Sequence, residues 1–316
     1  MNKIFWIDGG AGRIIAAIPA LLKYDRLNPN TEWSVISTGW NTIYWGIPEL
    51  QDRTYGLDDK GVFDNVIKKA DIIITPEPYR NPAYFKQEIS LVEAFDREIN
   101  GSTDHSDLGV PKLIFNKMEV SISLKTIDEL KLKRKKQKTI VFQPFGRGAE
   151  PVTQDKDGIT TEVSDEESRS LTSDSYLKLV KKLSSRYNVI FFGESQCILK
   201  QDTYADAFAC DLRQWGSIIK ESDYFVGVDS VGQHMARAVG TPGTVIFGST
   251  FPVNTSYPDF FNIIEKQGAK KYSPIRLMGL DVTLANRLND ALMDFEDSEV
   301  DELFKKIVAD IEKCVK

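Results

Sequence analysis

Five side chains in the second half of this 316-residue chain have the types and spacing of a phosphate and ribose site. Asp229 and Ser230 end one apolar run (YFVGV), with His234 shortly after. Arg147 lies between glycines after a second run (TIVFQ), and Glu194 follows a third (NVIFF). A helix opening after Ser230 would offer backbone N–H groups and the positive end of its dipole to an anion. A guanidinium on the far side, Arg147, would clamp a diphosphate between two sets of donors, and the Glu194 carboxylate would accept two ribose hydroxyls. A second reading stays open at this point: Asp229 and Ser230 simply cap the helix, and Arg147 is a surface residue.

These groups act together only if the elements that carry them converge. Residues 221–250 read as a strand, a polar turn, a helix (about 232–239), a Gly-Thr-Pro-Gly break and a second buried strand, which is one βαβ step. The start of the chain repeats the plan, with IFWI (4–7), then DGGAGR (8–13), then a helical pattern at Ile14, Ile15, Ile18, Leu21 and Leu22. Gly10 and Gly12 allow a tight turn and close approach of a phosphate or acceptor. They do not complete a dinucleotide fingerprint, since Ile15 occupies the place of the third glycine, and no Lys-Ser/Thr follows as in a P-loop. Both a plain βα turn and a cofactor-binding turn therefore stand.

Further strands are predicted at 31–37, 70–75, 139–143 and 188–192, with helices at 62–69, 90–98, 214–222 and an amphipathic one at 299–316. Strands alternating with helices imply parallel sheets. The expected fold is α/β, with two facing Rossmann-like doubly wound domains and a cleft between them. Residues 1–130 form the first domain, 131–138 (KLKRKKQK) a basic linker or alternatively a patch for phosphate-rich surfaces, and 139–316 the second domain, whose last helix could pack back on the first. The acidic, hydroxyl-rich stretch 156–173 is expected to be a mobile loop, and His105 falls in a polar loop (100–109). In open α/β sheets ligands lie beyond the carboxyl ends of the strands.

With 46 acidic and 40 basic residues the net charge is −6, so the whole-chain field does not attract polyanions. No apolar run reaches the ~20 residues that cross a bilayer, and the start lacks the pattern of a signal peptide, so a cytoplasmic location is expected. Cys197, Cys210 and Cys314 are too scattered for a zinc cluster or a disulfide framework.

The stretch VGVDSVGQHMARAVGTPGTVIFGST resembles the signature of the heptosyltransferase family, glycosyltransferase family nine: a strand running into D-[ST]-G-x-x-H, an alanine-rich helix, G-x-P and a strand ending F-G-x-T. Asp229, Ser230, His234, Ala236, Ala238, Gly240, Pro242, Phe247, Gly248 and Thr250 fall in register. IPALLKY, FQPFGRG and FFGE are similar to further family segments.

The resemblance implies a GT-B architecture, a nucleotide-diphosphate sugar donor held by the second domain, an acceptor held by the first, inversion at the anomeric carbon, and no metal or cofactor. It implies that the backbone at Ser230, Val231 and Gly232 holds the diphosphate, Glu194 the ribose, and Asp211 and Leu212 the base. Asp229 would hold the turn or a sugar hydroxyl, His234 would support the phosphates, and Arg147 would stand for the family's basic residue in that loop. Two departures matter. Val231 replaces the usual glycine, and Arg13 stands where the family carries an Asp as candidate general base. A guanidinium cannot take a proton from an acceptor, so the base is sought in Asp8, then in Asp104 or His105, leaving Arg13 to steady a negatively charged acceptor or the phosphates. The expected function is sugar transfer to a glycan, lipid-linked or modified-DNA acceptor. The alternatives are a catalytically silent nucleotide- or glycan-binding relative and a GT-B-like nucleotide-sugar epimerase.

Overall fold

Short β-branched and aromatic runs build two parallel sheets, and the computed structural model describes residues 1–165, 169–269, 271 and 293–315. In the first half, β1 (Asn2–Ile7) passes through the glycine turn into α1 (Ala11–Leu27). There follow β2 (Glu32–Ser37), β3 (Thr54–Gly56), α2 (Val62–Asn65), β4 (Ile72–Ile74), α3 (Pro82–Phe85) and α4 (Leu91–Asn100). The strand order is β3-β2-β1-β4. Ser90 and Glu93 close a capping box on α4, and the helix packs beside α1 over Phe5 and Ile7.

After α5 (Lys117–Arg134), the second half runs β5 (Thr139–Gln143), β6 (Ala149–Gln154), β7 (Thr160–Asp165), α6 (Ser173–Ser184), β8 (Asn188–Phe191), β9 (Asp206–Ala207), α7 (Leu212–Glu221), β10 (Tyr224–Val228), α8 (Val231–Val239), β11 (Gly243–Phe247), α9 (Pro252–Thr255), β12 (Asn262–Glu265) and α10 (Asp297–Cys314). Its main sheet has the order β12-β11-β10-β5-β8-β9. Every residue of β5, β8, β10 and β11 is buried, which is why these strands read as unbroken apolar runs. Among the described residues no helix is long and apolar enough to cross a membrane.

Three expectations change. The basic run 131–138 begins inside α5, which opens with an Asn116/Glu119 capping box and packs on α7 of the second half. Its charges are pinned: Arg134 Nε meets Asp206 at 2.7 Å, Lys133 pairs with the same carboxylate, and Lys136 Nζ reaches the Ser185 carbonyl at 2.8 Å. Chain crossing between the halves therefore lies before Asn116. Residues 156–173 are mostly ordered structure: Asp155 bonds the Asp157 and Ile159 amides across a Gly158 turn, and β6 and β7 pair antiparallel. Residues 166–168 lie outside the described residues. The final helix packs on α6 and β11, with Val300, Leu303 and Ile307 in the second domain's core rather than back on the first; Lys316 lies outside the described residues.

One side chain ties the halves together. Arg213, near the start of α7, donates to Glu119 at 2.6 and 2.9 Å, to the Thr42 and Trp45 carbonyls at 2.9 and 3.1 Å, and to the Ile114 carbonyl at 2.7 Å. Burial pushes the Glu119 carboxyl up, but the hydrogen bonds from Arg213, the bond from the Asn116 amide and the Arg213 charge together bring it below its ordinary value. Arg213→Ala strands a carboxylate and three carbonyls and is expected to cost about 3–5 kcal/mol in urea unfolding, with Arg213→Lys failing to restore the fork. The contribution should be present above the ordinary Glu value of roughly 4.3 and fade as pH falls through the depressed folded value. Wild-type-like unfolding of Arg213→Ala would refute this role.

Candidate functional site

The site is built where two helix N-termini meet. In each sheet the strand order reverses beside the first strand of the half, between β1 and β4 and between β5 and β10. Ligands of open α/β sheets lie at such points. The turn after β1 opens α1, and the turn after β10 opens α8. A Cβ on Gly12 would stand 2.7 Å from Cδ2 and 3.2 Å from Nε2 of His234, so the helices approach this closely only because position 12 has no side chain. Neither helix has an acid in its first turn, so two positive dipole ends face one region. An anion is the natural occupant.

The second-domain wall departs in detail from what the sequence suggests. Ser230 makes no capping bond to an α8 amide. The cap comes from β5 instead, where Gln143 Oε1 accepts from the Gly232 N–H at 2.9 Å while Gln143 Nε2 donates to Ser230 Oγ at 3.2 Å. Gly232 does not substitute for a glycine at Val231, because the place of its Cβ is taken by Gln143 Oε1 at 2.4 Å and the Phe225 ring at 2.7 Å. Its missing side chain serves the interior. Asp229 is buried, accepts from Gln233 Nε2 at 2.8 Å, and its carbonyl meets Arg169 Nη1 at 3.3 Å. Arg147 is exposed and crosses to the first domain, with Nη1 3.6 Å from the Cβ position of Gly10. Glu194 is exposed at the end of β8, and Asp211 caps α7 through the Gln214 amide at 2.8 Å, next to Leu212.

His234 is buried, with Nδ1 2.9 Å from the Tyr257 hydroxyl. Burial pushes its imidazole down to about 4, with Asp229 opposing and Arg169 assisting, so the ring is neutral near pH 7. Tyr84 is fully buried, and its hydroxyl has no hydrogen-bond partner among the described residues. Burial first, then Tyr79 and Asp229, hold it well above the usual tyrosine value against Arg13 and Arg169, so it remains a donor.

On the first-domain wall, Arg13 faces inward. Its guanidinium meets Glu77 at 3.2 and 3.3 Å, the Pro76 carbonyl at 2.6 Å and Asp8 at 3.7 Å, against the Tyr79 ring. The arginine is thus spent on the connection after β4. Asp8, 48% exposed, remains the accessible carboxylate of the turn. Asp104 and His105 are held elsewhere: the Asp104 carbonyl accepts from Lys23 Nζ at 3.0 Å, and His105 Nδ1 lies 2.7 Å from Asp96. Lys23 is ten residues beyond Arg13 on α1, which is about 15 Å along the helix. His105 instead lines a separate cavity of about 320 Å³ with Glu93, Arg237 and Tyr257.

Gln143, Arg169, Tyr84 and Glu77 escape a reading of the sequence. Gln143 looks like the end of a strand, and Arg169 sits in a stretch read as loop. Tyr84 and Glu77 belong to a proline-rich connection with no periodic signal.

Two facing doubly wound domains with a cleft at their switch points define the GT-B class. No protein-family model matches the chain, and no curated protein matches it. Among solved structures, it is similar to the Escherichia coli ADP-heptose LPS heptosyltransferase II, at 14% identity over 98% of this chain and 99% of that one with a TM-score of 0.63. It is also similar to a family 9 glycosyl transferase of Veillonella parvula, at 12% identity over 98% and 97% with a TM-score of 0.66. An E. coli heptosyltransferase with ADP matches at 12% identity over 87% and 96% with a TM-score of 0.53. The likeness at these identities is one of fold, and the fold is heptosyltransferase-like.

Two outcomes follow from this geometry. Gly12→Ala should cost about 1–3 kcal/mol by forcing α1 off His234. Because the folded His234 value lies below 6.5, the unfolded state binds the proton first, and stability should fall as pH drops from 6.5 to about 4. Urea midpoints across that window should be flatter for His234→Asn than for wild type; equal slopes would assign the titration to another group.

Proposed function

We propose that the protein moves a sugar from a nucleoside-diphosphate sugar to an acceptor hydroxyl, with inversion and without a metal. The observation that carries this reading is the facing pair of acid-free helix N-termini bridged by Arg147, a place for a diphosphate between two domains. The Val231 amide, the α8 dipole and Arg147 would hold the phosphates, Glu194 the ribose, and the Asp211–Leu212 turn the base. His234, kept neutral, lends support without adding charge, and the Tyr84 hydroxyl supplies a buried donor.

In the transfer step Asp8 takes the proton of the acceptor hydroxyl. The freed oxygen bonds to the anomeric carbon as the bond from that carbon to the diphosphate oxygen breaks on the opposite face. The charge that develops on the leaving diphosphate falls to Arg147 and the helix ends, the role a divalent cation would otherwise fill. Arg13 acts as a positioning residue, since Glu77 and the Pro76 carbonyl orient it and its Nη2 lies 3.7 Å from Asp8. A cytoplasmic location fits three unpaired cysteines.

One observation favours a second reading. The position where the resemblance expects an acid holds a buried arginine already paired with Glu77, which suits a relative that binds a nucleotide or glycan without turnover. A thermal-shift panel of ADP-, UDP-, GDP- and CMP-sugars, followed by assay of nucleoside diphosphate release, separates the two. Arg147→Ala should weaken donor binding by about tenfold to a hundredfold, the loss of one charge-assisted contact set. Asp8→Asn should lower kcat by about a hundredfold or more with donor KM kept. Unchanged kcat in Asp8→Asn would place the base elsewhere, and donor binding without release would favour the silent relative.

A further inference from the structure

The carboxyl end of β2 carries a feature that the donor side does not use. Trp40 has a left-handed backbone (φ 62, ψ 13) directly after Gly39 (φ 82). For a bulky residue that conformation costs about 1–3 kcal/mol and persists only where the surroundings impose it. Yet Trp40 is 41% exposed, and Trp45, at the other end of the 3-10 turn Asn41–Tyr44, is 50% exposed. The turn between them is rigid, because Ile43 and Tyr44 are buried in the first domain's core and Arg213 holds the carbonyls of Thr42 and Trp45. Two indoles are thus held out to solvent by a fixed frame.

Their position is beside the proposed reaction centre. Ile7 pairs with Ser37, so Asp8 and Thr38 leave the sheet on neighbouring strands, about 4.8 Å apart. Trp40 follows within about 7 Å of chain. The residue after it, Asn41, belongs to a polar cluster: Asn41 Nδ2 and Asp58 Oδ1 converge at 3.0 and 2.9 Å on the Cβ position of Gly56, and Asp59 holds the Gly56 amide at 2.6 Å. An exposed indole beside a turn that carries the Asn41 amide N–H and the Asp58 carboxylate suits a ring with an apolar C–H face and a hydroxyl edge. The same carboxylates repel phosphate-rich ligands.

We infer that Trp40, with Trp45, Asn41 and Asp58, forms the acceptor subsite and takes the pyranose ring of an uncharged sugar. The role as acceptor site rests on the transferase reading; the affinity for a sugar ring does not. The test titrates the full chain with methyl glycosides of glucose, galactose, mannose and N-acetylglucosamine, read by tryptophan fluorescence and saturation-transfer NMR. ADP, UDP and GDP are run in parallel by thermal shift. At least one glycoside should bind saturably, Trp40→Ala should weaken it at least tenfold, Trp40→Phe should stay within about threefold because a ring is retained, and the nucleotide shift should be the same in all three proteins. Failure of every glycoside to bind wild type, or equal binding by Trp40→Ala, would overturn the inference while leaving the donor reading intact. Loss of the nucleotide shift in Trp40→Ala would also overturn it, by showing that the indole stacks on a base. A wild-type protein that binds a glycoside through Trp40 but no nucleotide would sustain the sugar subsite and defeat the transferase reading.

Discussion

The close approach of Gly12 to His234 is the constraint on which the rest of the structure depends. A side chain at position 12 would hold α1 off α8, and the two sheets would no longer present their carboxyl ends to one volume. With glycine there, two helix N-termini whose first turns lack acids face each other, and their partial charges add. His234 suits this position by being neutral: burial and Arg169 hold its proton off, so it fills the contact without adding repulsion to the helix ends.

Around that contact the charges are arranged in an order that differs from the family pattern. Arg13 carries a positive charge into the turn where an acid is expected, and Glu77 neutralises it from the end of β4. The carboxylate left exposed is Asp8, at the end of β1. Behind that surface, Tyr84 keeps a buried hydroxyl without a partner among the described residues and Gln143 caps α8 from β5.

Arg213 links the two sides of the cleft by a route the strand pattern does not announce. It stands one residue after Leu212, at the turn proposed for the base, and its donors end on the carbonyls that frame Trp40 and Trp45. The Asp211–Leu212 turn and the Trp40–Trp45 loop are therefore fixed relative to each other through one guanidinium and the α5 capping residue Glu119. The same contact explains why α5 belongs with the second half in packing, although it precedes the first strand of that half in the chain.

The class of fold, and which residues stand at the carboxyl ends of the second domain's strands, were legible in the chain alone. Fully buried parallel strands must be apolar on both faces, so β5, β8, β10 and β11 are legible as runs, and the chemistry-bearing residues at their ends fall into place. Local capping and turn chemistry was present but easily overlooked: Asn116 with Glu119 opens α5, and Gly158 turns the hairpin. Tertiary structure alone decided what each glycine is for, that Gly12 admits His234 while Gly232 admits Gln143 and Phe225. It alone placed Asp104 and His105 away from the first glycine turn, with the Asp104 carbonyl on Lys23 far down α1 and His105 on Asp96 of α4. It also turned Arg13 inward. The physical reason is the range of the forces involved. Apolar burial and helix capping act between residues near in sequence or repeat with a fixed period, whereas steric fit and charge pairing at a domain contact join residues 64 to 222 positions apart, such as Arg13 with Glu77 and Gly12 with His234, and leave no periodic mark in the chain.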